Sequence, residues 1–503
     1  MIYQHIENLI SYGIYNLLLD PKDVIYKRNL LWDALKLDGM NNLPKPTIDP
    51  SKETTPDKIL NEIIHSSEFI FKNEENELIT TKLMGILSLL PSKIIDKFHS
   101  FKSIEDSTNW FYDYQIKNNY IQINKINQNI IWKSKNTIHP LKITINLTKP
   151  ELSNEEIKRK SLVEKNDYPL SLLAKENVGF KGNLNHPARQ NLRTIPILLN
   201  NESWFWQYSP YGYFKEHLIA INDEYTPMVV DHATIKKLTN FVDMYPHYFI
   251  GSNASLPIIG GSILSHEHFQ GGRETLPLMK VREGIKFIDP EFLDVNITKL
   301  NWYSSVLRFE SINRKNIINA ATKILNHWKS YSNPKIDIIS NTNNEMHNSA
   351  TIIVRRTNDA YILDMILRNN RTNKDYPQGI FHAHKKHHHI KSEGIGLIEA
   401  MGLFILPVRL KRQINTITDY LYSGEEDLLT NDLNIHKEFI NYLKQKTQSK
   451  KLNKDEIHEI IKNEINLICE DILINIAVFK PNMEGQMAFD EFLLNQGLER
   501  EKR

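Results

Sequence analysis

Residues Ser265–Gly272 read SHEHFQGG, and this stretch says more about the fold and chemistry of the chain than any other. On an extended strand His266 and His268 point to the same face, because strand side chains alternate with a period of two, and Gln270 continues that face. The two glycines that follow let the backbone turn closely around whatever sits there. An imidazole held in this way can act as a nucleophile toward phosphorus. Most histidine pairs with this spacing face solvent or bind a metal, so the pattern alone leaves all three interpretations open.

The composition is that of a globular protein without a strongly charged partner surface. The 503 residues include 62 Lys and Arg against 60 Asp and Glu, which leaves a net charge of +2. Such a balance gives no electrostatic footprint for nucleic acid or an anionic membrane, so we expect neither as a partner. The single cysteine, Cys469, excludes an internal disulfide and a cysteine-based zinc cage. The N-terminus has no basic region and only short apolar runs, so we expect no signal peptide, no transmembrane span and a cytoplasmic protein.

The order of predicted helices and strands indicates an α+β protein with helical additions at both ends. Apolar residues at helical spacing predict helices in the first hundred residues, and the chain beyond residue 410 is predicted to be helical to its end. The aromatic run at 204–214 is predicted to be core. The elements predicted in between are strands at 120–123, 141–147, 194–199, 217–221, 336–339, 350–355 and 361–367, and helices at 151–165, 233–245 and 317–330. We divide the chain into a helical N-terminal region, two α/β units and a helical C-terminal region, at 1–109, 110–285, 286–410 and 411–503.

A weak internal symmetry suggests that the two α/β units arose by duplication. The pair His266 and His268 is echoed by His382 and His384, and each pair closes a strand–helix–strand block. With 19 histidines in the chain, chance recurrence is an equal alternative. The second pair belongs to a histidine-rich run, 382–389, that together with His347 and a carboxylate could make a closed site for a divalent ion. A merely polar strand end is the alternative.

Several segments together resemble the second class of galactose-1-phosphate uridylyltransferases, the form common in Gram-positive bacteria. The resemblance spreads over most of the chain, and 260–272 is its strongest part. The other segments that carry it are 185–191 (NHPARQN), 207–211 (QYSPY), 246–254 (PHYFIGSNA), 367–372 (LRNNRT), 396–402 (GLIEAMG) and 485–489 (GQMAF). That family is related to the histidine-triad nucleotide-binding fold, so the resemblance implies two histidine-triad-like units. It also implies the reversible conversion of UDP-glucose and galactose 1-phosphate to glucose 1-phosphate and UDP-galactose.

The resemblance further implies roles for particular residues. His268 would attack the α-phosphorus and carry the uridylyl group, and Gln270 would hydrogen-bond the phosphoryl oxygens. His266 would stabilise the loop or orient His268 through its backbone. The resemblance implies phosphate contacts less firmly than it implies the histidine. For the arginines, an ordinary surface loop is the alternative. The implied phosphate contacts are Arg189, Arg193, Asn253, Ser262 and Ser265. The implied partners are UDP-glucose, UDP-galactose and hexose 1-phosphates, and a homodimer fits the family.

A structural metal is a separate implication of the resemblance. The first-class enzymes hold a metal, zinc or iron, with three histidines and a glutamate, and His347, His382 and His384 could supply the histidines. Members of the second class often carry a Cys-x-x-Cys pair, but this chain has Ser171 and Ala174 at those positions. The covalent step itself requires no metal cofactor.

Two alternatives to the transferase stay open. A nucleotide hydrolase or phosphorylase of the same fold would use the same histidine, although Gln270 argues against simple hydrolysis, because many hydrolytic relatives carry a further histidine there. A non-catalytic metal-binding protein built on 382–389 would keep its function after His268→Ala.

Overall fold

The helices lie mainly in the first quarter and the last fifth of the chain. The computed structural model describes residues 1–67, 76–148, 168–183, 186–261, 263–448 and 450–501. The α-helices are α1 (Ile2–Tyr15), α2 (Val24–Ala34), α3 (Asp57–Ser67), α4 (Asn76–Leu87), α5 (Pro91–His99), α6 (Ile104–Lys117), α7 (Ile123–Ile126), α8 (His232–Met244), α9 (Pro277–Lys280), α10 (Arg314–Ser330), α11 (Leu397–Ala400), α12 (Arg409–Ser423), α13 (Lys437–Thr447), α14 (Lys454–Asn475) and α15 (Met483–Leu494). Short 3-10 turns lie at Pro21–Asp23, Lys175–Asn177, Pro334–Ile336, Lys385–His387, Glu426–Leu428 and Asn431–His436.

The strands lie between these helical regions, apart from a two-residue strand near the C-terminus. They are β1 (Ile130–Lys133), β2 (Lys142–Ile145), β3 (Ile195–Leu199), β4 (Glu202–Tyr208), β5 (Leu218–Asn222), β6 (Phe249–Ser252), β7 (His268–Gly272), β8 (Gly284–Ile288), β9 (Asn296–Leu300), β10 (Val306–Ser311), β11 (Asn341–Thr342), β12 (Glu345–Met346), β13 (Asn348–Thr357), β14 (Ala360–Asn369), β15 (Leu403–Leu406) and β16 (Glu499–Arg500). The mixture of helices and antiparallel strands confirms the α+β class.

The chain forms two compact bodies. The first body comprises Met1–Asn127 and Leu152–Thr226, and the second comprises Gln128–Glu151 and Pro227–Arg503. In the first body β3, β4 and β5 form an antiparallel meander. The rings of Phe98 and Phe111 pack edge-on against Trp206 of β4, with centroids 5.9 and 5.3 Å apart. Because Trp206 is fully buried, the aromatic run is core in this strand, as predicted.

The second body is built on antiparallel strands in the order β16-β8-β9-β10-β14-β13-β6-β7. The long pair β13–β14 runs in register from Asn348↔Asn369 to Thr357↔Ala360, and helices α8 and α10 pack on this sheet. A smaller sheet pairs β2 with β1 antiparallel and with β15 parallel. Predicted strands at 350–355 and 361–367 and predicted helices at 233–245 and 317–330 all lie within observed elements.

Along the chain, the same order of elements occurs twice. Three strands, a helix and two strands make the first block, β3-β4-β5-α8-β6-β7, and the second block is β8-β9-β10-α10-β13-β14 with the small hairpin β11–β12 inserted. The prediction that each histidine pair closes a block is wrong for the second pair. His268 opens the last strand of the first block, whereas His382 and His384 lie in a turn well beyond the end of β14.

Other sequence predictions need correction. Residues 120–122 form the connection between α6 and α7, and Ile123 already begins α7. The chain leaves α6 there because Asn119 adopts a positive φ of 59° and the N–H of Ile121 reaches back to the carbonyl of Gln115 at 2.8 Å. Residues 336–339 are not a strand either, because the 3-10 turn Pro334–Ile336 ends at the first of them and Ile338 makes only an isolated bridge with Asn333. The C-terminal region is helical except for β16, which pairs with β8. The helix predicted at 151–165 lies outside the described residues.

One further observation concerns membrane helices. Within the described ranges, no single helix is long and apolar enough to span a bilayer, and only α4 and α5, bent by 59° relative to each other, pass that test as a pair.

Candidate active site

His268 is the first residue of β7 and is almost fully buried, with 6% of its surface exposed. Its ring Nδ1 lies 2.8 Å from the backbone carbonyl oxygen of His266. A carbonyl oxygen can only accept a hydrogen bond, so Nδ1 carries the ring proton and Nε2 keeps the lone pair. Burial lowers the pKa of His268, and this outweighs the raising effect of the bond to His266. The ring is therefore neutral at pH 7, in the tautomer that a nucleophilic Nε2 requires.

His266 lies in a bend before β7, which corrects the expectation that both histidines share one strand face. Residues 265 and 266 form the bend, and β7 begins only at His268. The physical reason is that the carbonyl of His266 turns toward the ring of His268 instead of continuing a strand ladder. His266 itself is buried. The contact that His266 makes with the ring of His268 is through its backbone carbonyl, which accepts the hydrogen bond from Nδ1.

Gln270 lies two residues along β7 from His268, on the same face of the strand. It is half-buried and is paired in register with Gly251 of β6, which has no side chain to cover it. The next residue, Gly271, must be glycine, because a Cβ there would lie 2.2 Å from the carbonyl oxygen of Phe249. The close pairing of β6 with β7 thus places an imidazole and an amide next to each other on one strand.

Asn253 follows β6 and is buried, with 3% of its surface exposed. Its Oδ1 accepts a hydrogen bond from the backbone N–H of Leu397 at 2.8 Å, which caps the start of α11. Its Nδ2 lies beside Gly261, 3.0 Å from where a Cβ of that glycine would be. Within the described part of the chain this Nδ2 has no hydrogen-bond partner. Oδ1 of Asn253 therefore has a structural role, and its Nδ2 is a donor beside Gly261, in the loop that contains Gly260 and Gly261 (the glycine loop).

The glycine loop leads from β6 back toward β7. Ala254 forms an isolated bridge with Gly260, whose N–H also binds the carbonyl of Leu256 at 2.9 Å. Ser265, predicted to contact phosphate, is exposed in the bend before His266. Ser262, predicted for the same role, lies outside the described residues.

A buried ion pair holds the residue between the two histidines. Nζ of Lys237 on α8 donates to both carboxylate oxygens of Glu267, at 3.0 and 2.9 Å, and each side chain is 7% exposed. Just before α8, Met228 binds the same segment twice. Its N–H donates to the carbonyl of Leu264 at 2.8 Å, and its Sδ accepts from the N–H of His268 at 3.2 Å.

The sequence analysis missed these contacts, although one signal was present. Lys237 stands on the buried face of α8, with Ile235 and Leu238, and an ionised side chain is rarely found in such a position without a partner. The identity of the partner was not readable, because Glu267 is 30 residues away along the chain.

The two predicted phosphate arginines lie in the first body, and they differ in what they bind. Arg193 is 4% exposed and donates to the backbone carbonyls of Leu89, Gln190 and Leu192 at 2.7 to 3.0 Å. These bonds give Arg193 a structural role where a phosphate ligand was expected. Arg189 is half-buried; it donates to one carbonyl at 3.1 Å and lies 5.8 Å from the ring of Tyr120. Its role as a phosphate ligand stays a prediction.

The predicted metal ligands are not brought together. Among the residues that the structure describes, no group of three or more His, Cys, Asp or Glu side chains could hold a metal ion. His347 binds Asn370 through Nδ1 at 2.9 Å, and Nε2 of His384 lies 3.1 Å from a backbone carbonyl. His382 has two unpartnered ring nitrogens, but burial and the nearby guanidinium of Arg368 lower its pKa to about 4. A fixed cation beside His382 opposes a second one, so this donor set does not fit a metal.

Two family models match the chain one after the other. The model of the galactose-1-phosphate uridyl transferase N-terminal domain matches residues 25–238, and that of the C-terminal domain matches residues 240–438. A yeast Ap4A phosphorylase of known structure covers 65% of this chain and 94% of its own, at 10% identity and a TM-score of 0.33.

Curated relatives match the chain from end to end. The galactose-1-phosphate uridylyltransferase of Clostridium acetobutylicum is 40% identical over 98% of this chain and 99% of its own length. That of Bacillus subtilis is 38% identical over 98% of this chain and 97% of its own. These matches confirm the resemblance on which the sequence analysis relied, and with it a nucleotidyltransferase of galactose metabolism. The chain belongs to the galactose-1-phosphate uridylyltransferase family.

Proposed function

We propose that His268 carries the uridylyl group between UDP-glucose and galactose 1-phosphate through its Nε2 atom. The observation that carries the proposal is the hydrogen bond from Nδ1 of His268 to the carbonyl of His266. It fixes the tautomer, so the lone pair on Nε2 is the one available for attack. Burial keeps the pKa of this ring below its ordinary value, so no proton has to be removed before attack at neutral pH.

The transfer proceeds in two displacements at one phosphorus. In the first, the Nε2 lone pair forms a bond to the α-phosphorus of UDP-glucose, and the bond from that phosphorus to the bridging oxygen breaks. Glucose 1-phosphate leaves with the bonding electrons. In the second, a phosphate oxygen of galactose 1-phosphate attacks the same phosphorus, the N–P bond breaks and its electrons return to Nε2. The products are UDP-galactose and the original ring, and Nδ1 keeps its proton throughout.

The backbone carbonyl of His266 stabilises the intermediate of this scheme. When Nε2 binds phosphorus the ring becomes positively charged, and the hydrogen bond from Nδ1 to a carbonyl becomes stronger. Because the acceptor is a neutral backbone group, it does not hold the free ring in its protonated form as a carboxylate would. The same contact therefore serves the nucleophile before attack and the leaving group after it.

Two amide side chains are suited to hold the phosphoryl oxygens. Gln270 follows His268 on the same strand face, and Nδ2 of Asn253 is a donor left beside Gly261. Neutral amide donors can stabilise charge that develops on the oxygens during the displacement without a second ion that must be desolvated. Both residues are assigned to phosphate binding as part of this proposal.

The test is covalent labelling in the absence of acceptor. Wild-type protein incubated with UDP-glucose labelled in the uridylyl phosphate is expected to gain an acid-labile label, which galactose 1-phosphate releases as UDP-galactose. His268→Ala should take up none. His327→Ala, which removes an exposed histidine near the end of α10, is the matched control and should label as wild type does.

Two results would contradict the proposal. Unlabelled wild type with intact UDP-glucose would remove the transferase mechanism. Label that water discharges faster than galactose 1-phosphate does would favour the hydrolase alternative instead.

A further inference from the structure

The proposed chemistry does not use the buried pair Lys237–Glu267, although Glu267 is adjacent to the nucleophile in the chain. Both side chains are 7% exposed, and Nζ of Lys237 reaches both carboxylate oxygens. In the chain, Glu267 lies between His266 and His268. The carbonyl of His266 accepts the hydrogen bond from the imidazole ring of His268. Any displacement of Glu267 therefore moves the acceptor and the nucleophile relative to each other.

The helix that carries Lys237 is itself firmly anchored. Asp231 caps α8 by accepting the N–H of Thr234 at 3.0 Å, and the hydroxyl of Thr234 returns a bond to the backbone N–H of Asp231 at 3.3 Å. Met228, three residues before this cap, holds Leu264 and His268. The segment 264–268 is thus tied to the start of α8 at two points, and the ion pair adds a third point one turn further along the helix.

Stability alone does not explain an ion pair in this position. Two charges removed from water lose solvation that their mutual attraction only partly returns, and apolar residues of the same volume usually serve as well. What a bidentate buried pair provides in addition is a fixed position for one backbone segment. We propose that Lys237 and Glu267 are positioning residues, which hold the carbonyl of His266 and the ring of His268 at the separation that uridylyl transfer requires.

This inference rests on the proposed function, because it assigns a role in the same covalent step. It is a mechanical role rather than an electrostatic one. The pair is neutral overall, and the causes that shift the pKa of His268 are its burial and the contacts with His266. Loss of the pair is therefore expected to slow the labelling step at every pH, including the pH range in which the ring is fully neutral.

The deciding variant removes both charges together. The double variant Lys237→Met, Glu267→Gln removes both charges of this pair together, so it is expected to fold, whereas each single variant removes one charge and leaves the other buried. At saturating UDP-glucose and below its melting temperature, the double variant should form the uridylyl-histidine about ten- to a hundredfold more slowly, the loss that a displacement near 1 Å can cause. The UDP-glucose concentration for half-maximal rate should change much less.

The second block supplies a matched control. Lys323 on α10 pairs with the buried Asp289 at 3.0 Å, and α10 holds the position in its block that α8 holds in the first. Lys323 also reaches the exposed Glu291 at 3.1 Å. The double variant Lys323→Met, Asp289→Asn removes the charges of a helix–loop ion pair in the second block. It is expected to fold and to label at the wild-type rate.

The outcomes separate the inference from the proposed function. A folded Lys237→Met, Glu267→Gln protein that labels within twofold of wild type overturns the positioning role. A double variant that does not fold also overturns the positioning role, since the pair would then serve the fold. The same holds if only the UDP-glucose concentration for half-maximal rate or the pH midpoint of labelling changes. If the wild-type protein takes up no label, the proposed function itself is contradicted, and so is the positioning role that rests on it.

Discussion

At the scale of single residues, the chemistry depends on one hydrogen bond, from Nδ1 of His268 to the carbonyl of His266. The sequence predicted His268 and Gln270 as neighbours on a strand, because a spacing of two is sufficient for that. The spacing alone did not predict how His266 contributes; a backbone role was implied only by the family resemblance. A bend before the strand is set by the packing of 264–268 against the start of α8, and that packing is not visible in the local pattern.

The lowered pKa of His268 gives a pH dependence with a definite sign. The neutral ring is the active form, and it predominates at every pH above the pKa of the folded protein. Because burial holds that pKa below 6.5, the rate of labelling should be highest near pH 8 and fall on acidification with a midpoint below pH 6.5. Rapid-quench labelling between pH 8 and 5 measures this, and a midpoint at or above 6.5 would contradict it.

Arg193 and Arg189 should respond differently to the same substitution. Arg193→Met leaves three buried or half-buried carbonyls without this donor, so we expect a loss of about 3 kcal/mol in stability, with little effect on substrate binding in the protein that remains folded. Arg189→Met removes one such bond and should cost far less stability. Thermal melting and the KM for UDP-glucose separate the two. An Arg193→Met protein with wild-type melting and a raised KM would restore the sequence-based expectation of a phosphate ligand.

At the scale of elements, Asn253 joins the end of β6 to the start of α11 through its Oδ1, which accepts the N–H of Leu397. Its Nδ2 remains available as a donor. Asn253→Asp keeps an acceptor for the N–H of Leu397 but removes the donor and adds a negative charge. We expect near wild-type melting and a KM for UDP-glucose raised about tenfold, as for a lost hydrogen bond to a charged group. Asn253→Ala should raise the KM as well and also cost about 1 kcal/mol, as for a lost cap. An unchanged KM in Asn253→Asp would show that this donor does not contact substrate.

Elements were predictable where one periodicity extends over many residues. Helix α10 and the strands β13 and β14 were found within a few residues of their ends, because each run is long and bounded by turn residues. The run at 120–123 has the same alternation over only four residues. In that run the chain turns out of α6, because Asn119 has a positive φ and the N–H of Ile121 binds the carbonyl of Gln115. Short alternation does not separate a strand from a helix end.

At the scale of the whole molecule, the metal predicted from the histidine-rich run is the expectation that the structure supports least. His382 lies beside the guanidinium of Arg368, and His384 is bonded to a backbone carbonyl. We therefore expect protein dialysed against EDTA to keep its melting temperature and its capacity for labelling. A drop in either that zinc or iron reverses would show that the histidines gather a metal after all.

The repeated order of elements raises a question of stoichiometry, because two similar blocks could carry two nucleophiles. The equivalent of β7 in the second block is β14, and its buried carboxylate, Asp364, is held by Arg308 and Arg355 at 2.5 and 2.6 Å. That strand is stabilised by an internal ion cluster and opens with Ala360 rather than a histidine. We therefore expect one uridylyl group per chain, measured by intact mass, and the same value in the double variant His382→Ala, His384→Ala. A second label, or label on peptides from 382–389, would mean that both blocks kept the chemistry, whereas a single label on His268 means that the second block kept the architecture without it.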